Sequence, residues 1–157
     1  MTAAASSTDR IEKQIVLPAP RSRVWRAITD AQQFGEWFGV RLGSPFAPGA
    51  EVSGNITHKG YEHVTFTAWV EAMEPERLFS FRWHPHAIEQ GVDYSQEPTT
   101  LVTFTLEDAE GGTRLMVVES GFDAIPEHRR VRAFEGNARG WAGQMESIRK
   151  YLARPAA

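Results

Sequence analysis

EHRRVRAFEGNARGWAGQMESIRKYL, residues 127–152, is the longest helical signal in the chain. Val131, Phe134, Ala138, Trp141, Met145, Ile148 and Leu152 follow the three-and-four step that places side chains on one helix face. Asn137 interrupts this stripe at its edge. The only other helical material is a short pair near the N-terminus, and the segments between read as strands. One long helix laid across a sheet can leave a cavity, and the functional reading turns on that point.

The same stretch holds Gly136, Gly140 and Gly143, each costing a helix about 1 kcal/mol relative to alanine. At about 100° per residue they cluster away from the apolar stripe. Either they let another backbone or a second subunit approach the outer face, or they loosen the helix.

Working outward, Ile11 to Leu17 alternates apolar and polar residues and stops at Pro18-Ala19-Pro20, which reads as a strand ended by prolines. Val24, Trp25, Ala27 and Ile28 give a first short helix its apolar face. Thr29-Asp30 ends it and caps a second helix over Ala31 to Phe34. Gly35 to Gly39 then presents Trp37 and Phe38 between glycines, either closing one end of the core or lining a pocket mouth. Glu51 to His58 reads as a strand weakened by Gly54. His63 to Met73 and Leu78 to His84 form a hairpin through the turn Glu74 to Arg77, and Thr100 to Glu107 pairs with Thr113 to Ser120. Short connections make the sheet antiparallel. His84 to Thr99, the longest irregular segment, reads equally as a lid or as a surface connection.

Alternation sorts the faces. Phe66, Ala68 and Val70, then Phe79, Phe81 and Trp83, then Val102, Phe104 and Leu106, and finally Leu115, Val117 and Glu119 form the inward set. Trp69 falls on the outer side. Glu119 thus ends an apolar row, where burial raises a carboxyl pKa unless a donor such as Asn137, an arginine or a ligand meets it.

Composition bounds the chemistry. The chain has 157 residues, 41% of them apolar, enough for one domain with a buried core. We expect tails at 1–9 and 154–157 around one domain at 10–153. A net charge of −3 with interspersed signs gives no basic footprint for nucleic acid. No segment approaches the roughly 20 apolar residues that span a bilayer. The opening residues lack a secretory signal, and the absence of cysteine excludes disulfides and thiolate chemistry, which fits the cytoplasm. His58, His63, His84 and His86 lack zinc spacing, so no metal is expected. There is no G-x-S-x-G elbow and no phosphate loop.

The order strand, two short helices, antiparallel meander and long C-terminal helix resembles the helix-grip fold of the START-like, Bet v 1-like (SRPBCC) superfamily. Local motifs narrow this. Pro18-Ala19-Pro20 with Val24-Trp25, Trp37-Phe38, Pro48-Gly49, Glu74-Pro75-Glu76-Arg77-Leu78 with Phe81 and Trp83, Gly112-Thr113, Glu119-Ser120-Gly121-Phe122, and Asn137 with Gly140-Trp141 resemble the family related to the C-terminal domain of the activator of Hsp90 ATPase. The resemblance runs from about Ile11 to Leu152. It implies an α+β fold, with a curved antiparallel sheet of six or seven strands, two short helices and one long C-terminal helix. It also implies a cavity for lipids, sterols, polyketides or other hydrophobic small molecules. Some relatives carry oxidoreductase-type names such as vanillate demethylase, but this chain has no flavin, nicotinamide or iron–sulfur motif, and no cofactor is expected. One expected domain leaves no room for the additional N-terminal domain of the eukaryotic cochaperone, which argues against Hsp90 activation.

The leading expectation is therefore a protein that binds a small hydrophobic or amphipathic molecule between sheet and C-terminal helix. Trp37, Phe66, Phe81, Trp83, Phe104, Phe122, Trp141 and Met145 would wall the pocket, while Glu119 and Asn137 orient a polar end of the ligand. A second reading makes Glu119 a weak candidate for a general acid/base. A third makes the chain an interaction module or homodimer, using Trp69 or the glycine face.

Overall fold

The computed structural model describes residues 8–154. The expected tails fall outside the described residues except at 8, 9 and 154. Asp9 is tied down: its carbonyl accepts from the amides of Gly121 and Phe122, and its carboxylate from the amide of Asp123.

Seven strands form one antiparallel sheet: β1 (Arg10–Leu17), β2 (Val40–Leu42), β3 (Glu51–Ile56), β4 (Thr65–Glu74), β5 (Leu78–Trp83), β6 (Thr100–Ala109) and β7 (Gly112–Ser120). Their spatial order is β1-β7-β6-β5-β4-β3-β2. The first two strands thus close opposite edges, and the helices α1 (Arg21–Thr29) and α2 (Ala31–Phe38) carry the chain between them. A short 3₁₀ turn at Phe122–Ala124 leads into α3 (Glu127–Leu152), which packs against β1 and α2. This is the α+β helix-grip architecture.

Each inward row read from alternation is buried up to its last residue, with Phe79, Phe81, Val102, Phe104, Leu115, Val117 and Glu119 all inaccessible to solvent. Trp83, at the end of β5, is half-buried. A register shift in β4 between Val70 and Ala72 ends its strict alternation.

Three local readings need correction. The second helix does not stop at Phe34 but runs to Phe38, because Phe34, Trp37 and Phe38 continue one apolar face. Asp30 caps its start by accepting from the Gln33 amide, and Gly39, in the left-handed conformation at φ 90°, ends it. Gly35 is no breaker here: a Cβ there would lie 2.2 Å from the Val40 carbonyl oxygen, so its bareness lets β2 turn back against the helix. That turn creates β2, which no alternation announced.

The third correction concerns α3, whose limits match the sequence reading. Val131 is 66% exposed, while Ala133 and Tyr151, outside the expected stripe, are buried. At about 100° per residue Val131 and Ala133 lie on opposite flanks of the Trp141 direction. The protein covers the Ala133 flank, which is also the side of Asn137 and Gln144.

Candidate functional site

Glu119 sits on β7 opposite Val102 of β6, and the same inward face brings it under α3. Its Oε1 accepts from Trp141 Nε1 at 2.8 Å and Asn137 Nδ2 at 3.0 Å. Its Oε2 accepts from Thr100 Oγ1 at 2.5 Å, Trp83 Nε1 at 2.7 Å and Asn137 Nδ2 at 3.1 Å. All its partners are neutral. Burial pushes the carboxyl pKa up, and the donors from Thr100, Trp141, Trp83 and Asn137 oppose that rise. Three of these groups, two indole N–H and one amide NH₂, can only donate, so both oxygens are committed to accepting.

Around this carboxylate the aromatic side chains pack ring on ring. Trp141 lies 5.7 Å from both Trp83 and Phe104, Phe81 lies 5.6 Å from Trp83, and Phe34 stacks on Phe38 at 4.8 Å. Edge-to-face and tilted contacts dominate, as quadrupolar rings prefer. The space between sheet and helix is therefore filled along most of its length.

It opens at one end. A cleft of about 710 Å³ lies between β4, the β3–β4 connection, the irregular segment 84–99 and α3. Phe38, Phe66 and Trp83 form its apolar floor, with Ile56, Val64 and Trp69 beside them. Asn137 and Gln144 supply the helix wall. Four of the five histidines border it.

The histidines hold the mouth in shape. Nε2 of His58, His63 and His84 meets the carbonyls of Phe38, Ile88 and Glu97 at 3.3, 3.0 and 3.0 Å. A carbonyl can only accept, so each Nε2 carries the proton, and in the neutral ring Nδ1 remains an acceptor. The His58 ring rests on Gly39 and the His86 ring on Gly136, where a Cβ would come within 2.3 and 2.8 Å of the respective rings. Of the three helix glycines, Gly136 thus admits a close neighbour from the chain's own loop, whereas Gly140 and Gly143 border open space.

Arg129 clamps the segment 84–99 onto α3. It pairs with Glu97 at 2.6 Å, donates to the Pro85 carbonyl at 2.8 Å and lies 4.8 Å over the Tyr94 ring. Both members of the ion pair are largely buried. His86, at φ 52°, has its pKa lowered, first by burial and then by the charges of Arg129, Arg132 and Arg139, with Glu89 opposing them.

Of the ten residues expected to line a pocket, the structure brings Phe66, Trp83 and Asn137 to the cleft. Glu119 stands directly behind the last two. Phe81, Phe104, Phe122, Trp141 and Met145 lie in the packed core, Phe122 against Phe134. Trp37 is also there, its Nε1 donating to the Ala27 carbonyl at 2.7 Å. Trp69, expected outside, stands edge-on to His84 at the cleft rim. Phe38, read as closing the core or lining a pocket mouth, borders the cleft, whereas the reading missed Gln144, a polar residue beside the apolar stripe, and the β3–β4 connection, since irregular segments carry no periodicity. Among the described residues no three of His, Cys, Asp and Glu converge to hold a metal, and no helix is long and apolar enough to cross a membrane.

Comparison with known proteins agrees with this architecture. The model of the activator of Hsp90 ATPase homolog 1-like proteins matches residues 18–153. No curated protein matches the chain. Among solved structures, DynU16, a protein in the dynemicin biosynthetic locus, is 26% identical with a TM-score of 0.71. The match covers 92% of this chain and 47% of DynU16, so the chain spans about half that protein's length. MLL2253 from Mesorhizobium loti is 24% identical with a TM-score of 0.74, over 94% of this chain and 99% of that one. The Aha1 dimer from Colwellia psychrerythraea is 15% identical with a TM-score of 0.68, over 91% and 95% of the respective chains. The last two show the shared fold. With the match spanning both short helices, β2 to β7 and α3, this chain belongs to the activator of Hsp90 ATPase homolog 1-like family.

Proposed function

We propose that the chain binds a small hydrophobic or amphipathic molecule in the cleft at the open end of the grip. The carrying observation is the combination of an aromatic floor, Phe38, Phe66 and Trp83, with oriented polar groups on one wall, Asn137 and Gln144. Apolar area supplies burial and a few placed polar groups fix orientation, which is the usual division of labour in a ligand site. Glu119 acts from behind: it fixes Trp83 and Asn137 without touching the ligand.

That arrangement speaks against Glu119 as a general acid/base. A proton-transfer group must come within hydrogen-bond reach of the reacting atom, and Glu119 is inaccessible, with both oxygens already engaged. The family description refers to Hsp90, but the cleft chemistry fits a small molecule without requiring a protein partner.

Titration with the neutral dye Nile red, read by its fluorescence, tests the reading. Val64→Trp, which fills the cleft from its rim, should weaken dye binding at least tenfold while leaving the unfolding midpoint nearly unchanged. Equal binding by both proteins, or none by either, would contradict it.

A further inference from the structure

The polarity of the cleft narrows what it takes. Asn137 directs its NH₂ to both oxygens of Glu119, and Gln144 directs its NH₂ to the Phe38 carbonyl at 2.9 Å. A committed carboxylate and a carbonyl can only accept there, so neither amide can flip without facing acceptor with acceptor. Asn137 Oδ1 and Gln144 Oε1 are consequently the outward ends. Among the described residues neither accepts a hydrogen bond, and neither is a buried orphan atom. They stand two helical turns apart on the same wall of the cleft.

The surroundings have the same sign. Among the described residues lining the cleft none is Lys or Arg, while Glu51, Glu89 and Asp93 are. The nearby arginines Arg129 and Arg132 are paired with Glu97 and Glu89, and Arg139 is exposed on α3. His58, His63 and His84 each direct Nε2 to a backbone carbonyl, which withdraws that donor from a ligand. Phe38, Phe66 and Trp83 present aromatic rings, whose faces attract cations. No lysine or arginine among the described lining residues is there to pair with an anionic head group.

Resting on the cleft as the ligand site, we infer that its ligand carries a positively charged, hydrogen-bond-donating nitrogen on a flat apolar frame, the nitrogen donating to an amide oxygen of the helix wall, that of Gln144 or that of Asn137. Two probes of the same frame and opposite charge at pH 7, 2-naphthylmethylamine and 2-naphthoate, test this by titration against the full chain. The amine should bind at least tenfold more tightly than the carboxylate. Gln144→Lys, which keeps a donor for the Phe38 carbonyl but adds a cation to the wall, should erase or reverse that ranking. A carboxylate that binds the unaltered chain as well as or better than the amine overturns the inference, as does a ranking that Gln144→Lys leaves untouched. Nile red run in parallel separates the two levels. If it binds and Val64→Trp blocks it while the amine shows no preference, only the charge inference falls; if the dye fails as well, the cleft reading falls with it.

Discussion

The two ends of the space beneath α3 differ in kind. Around Trp141 and Met145 the interior is closed, with aromatic rings in contact and one carboxylate held by neutral donors. Toward Trp69 and His84 it opens into a cleft walled by histidines, amides and loop residues. Trp83 and Asn137 belong to both, since each bonds Glu119 and lines the cleft. The comparison teaches that an inward row of aromatics builds a core by default. Binding capacity arises where irregular segments stop that core from closing.

The largest effect should come from breaking the closed end. Glu119→Leu leaves two indole N–H groups, an amide NH₂ and a hydroxyl without their acceptor, and should cost on the order of 3–5 kcal/mol in urea unfolding. Glu119→Gln is no conservative change here, because its NH₂ must face donors; about 2 kcal/mol is expected. A loss under about 0.5 kcal/mol for both would show that the donors find other partners. At the open end, Val64→Ala should cost less than about 1 kcal/mol, since little packing is lost.

Next in size is the strap over the cleft. Arg129→Ala removes the ion pair to Glu97, the bond to Pro85 and the stacking on Tyr94 together. Amide exchange across 85–97 should accelerate at least tenfold with little change in β6 and β7. Unchanged exchange would mean that Arg129 is not the clamp.

Acid should loosen the same strap more gently. The pKa of His86 is lowered from 6.5, so the folded state binds fewer protons than the unfolded chain once pH falls below that value. Its contribution is complete above pH 6.5 and is lost as pH falls through the depressed folded value. Protection factors in 85–97, which correct for the fall of the intrinsic exchange rate with acid, should therefore drop several-fold between pH 7.5 and 5, and His86→Ala should flatten that drop. Glu119 has the opposite sign: its pKa is raised above 4.5, so its contribution is full below that pH and lost as pH climbs through the folded value. A loss of protection with acid that survives His86→Ala would assign the effect elsewhere.

The smallest effects separate the helix glycines. Gly140→Ala and Gly143→Ala, bordering open space, should each stabilise by about 0.5–1 kcal/mol. Gly136→Ala meets the His86 ring and should gain nothing, or release the loop. Loss of stability at Gly140 or Gly143, together with a concentration-dependent change in sedimentation, would mark that face as a contact between copies.

Much of this was legible in the residues. Period-two alternation placed Phe81, Phe104 and Leu115 inside and put Glu119 at the end of an apolar row, and the three-and-four step set the limits of α3. Asn137 stood out as a polar break beside that row, and the structure joins the two. Alternation tells which face is inward but not whether facing rings meet, so Phe104 and Trp141 read as pocket walls although they touch. The cleft depends on contacts distant in sequence, such as His86 on Gly136 and Gln144 on the Phe38 carbonyl, which leave no periodic trace.

Side-chain NMR during titration with 2-naphthylmethylamine tests the central claim most directly, because it reads both ends of the molecule at once. The amide resonances of Asn137 and Gln144 should shift while the Met145 methyl in the closed core stays put. Shifts concentrated at Met145 and Ile148, with Asn137 and Gln144 unmoved, would place the ligand inside the core and contradict the account.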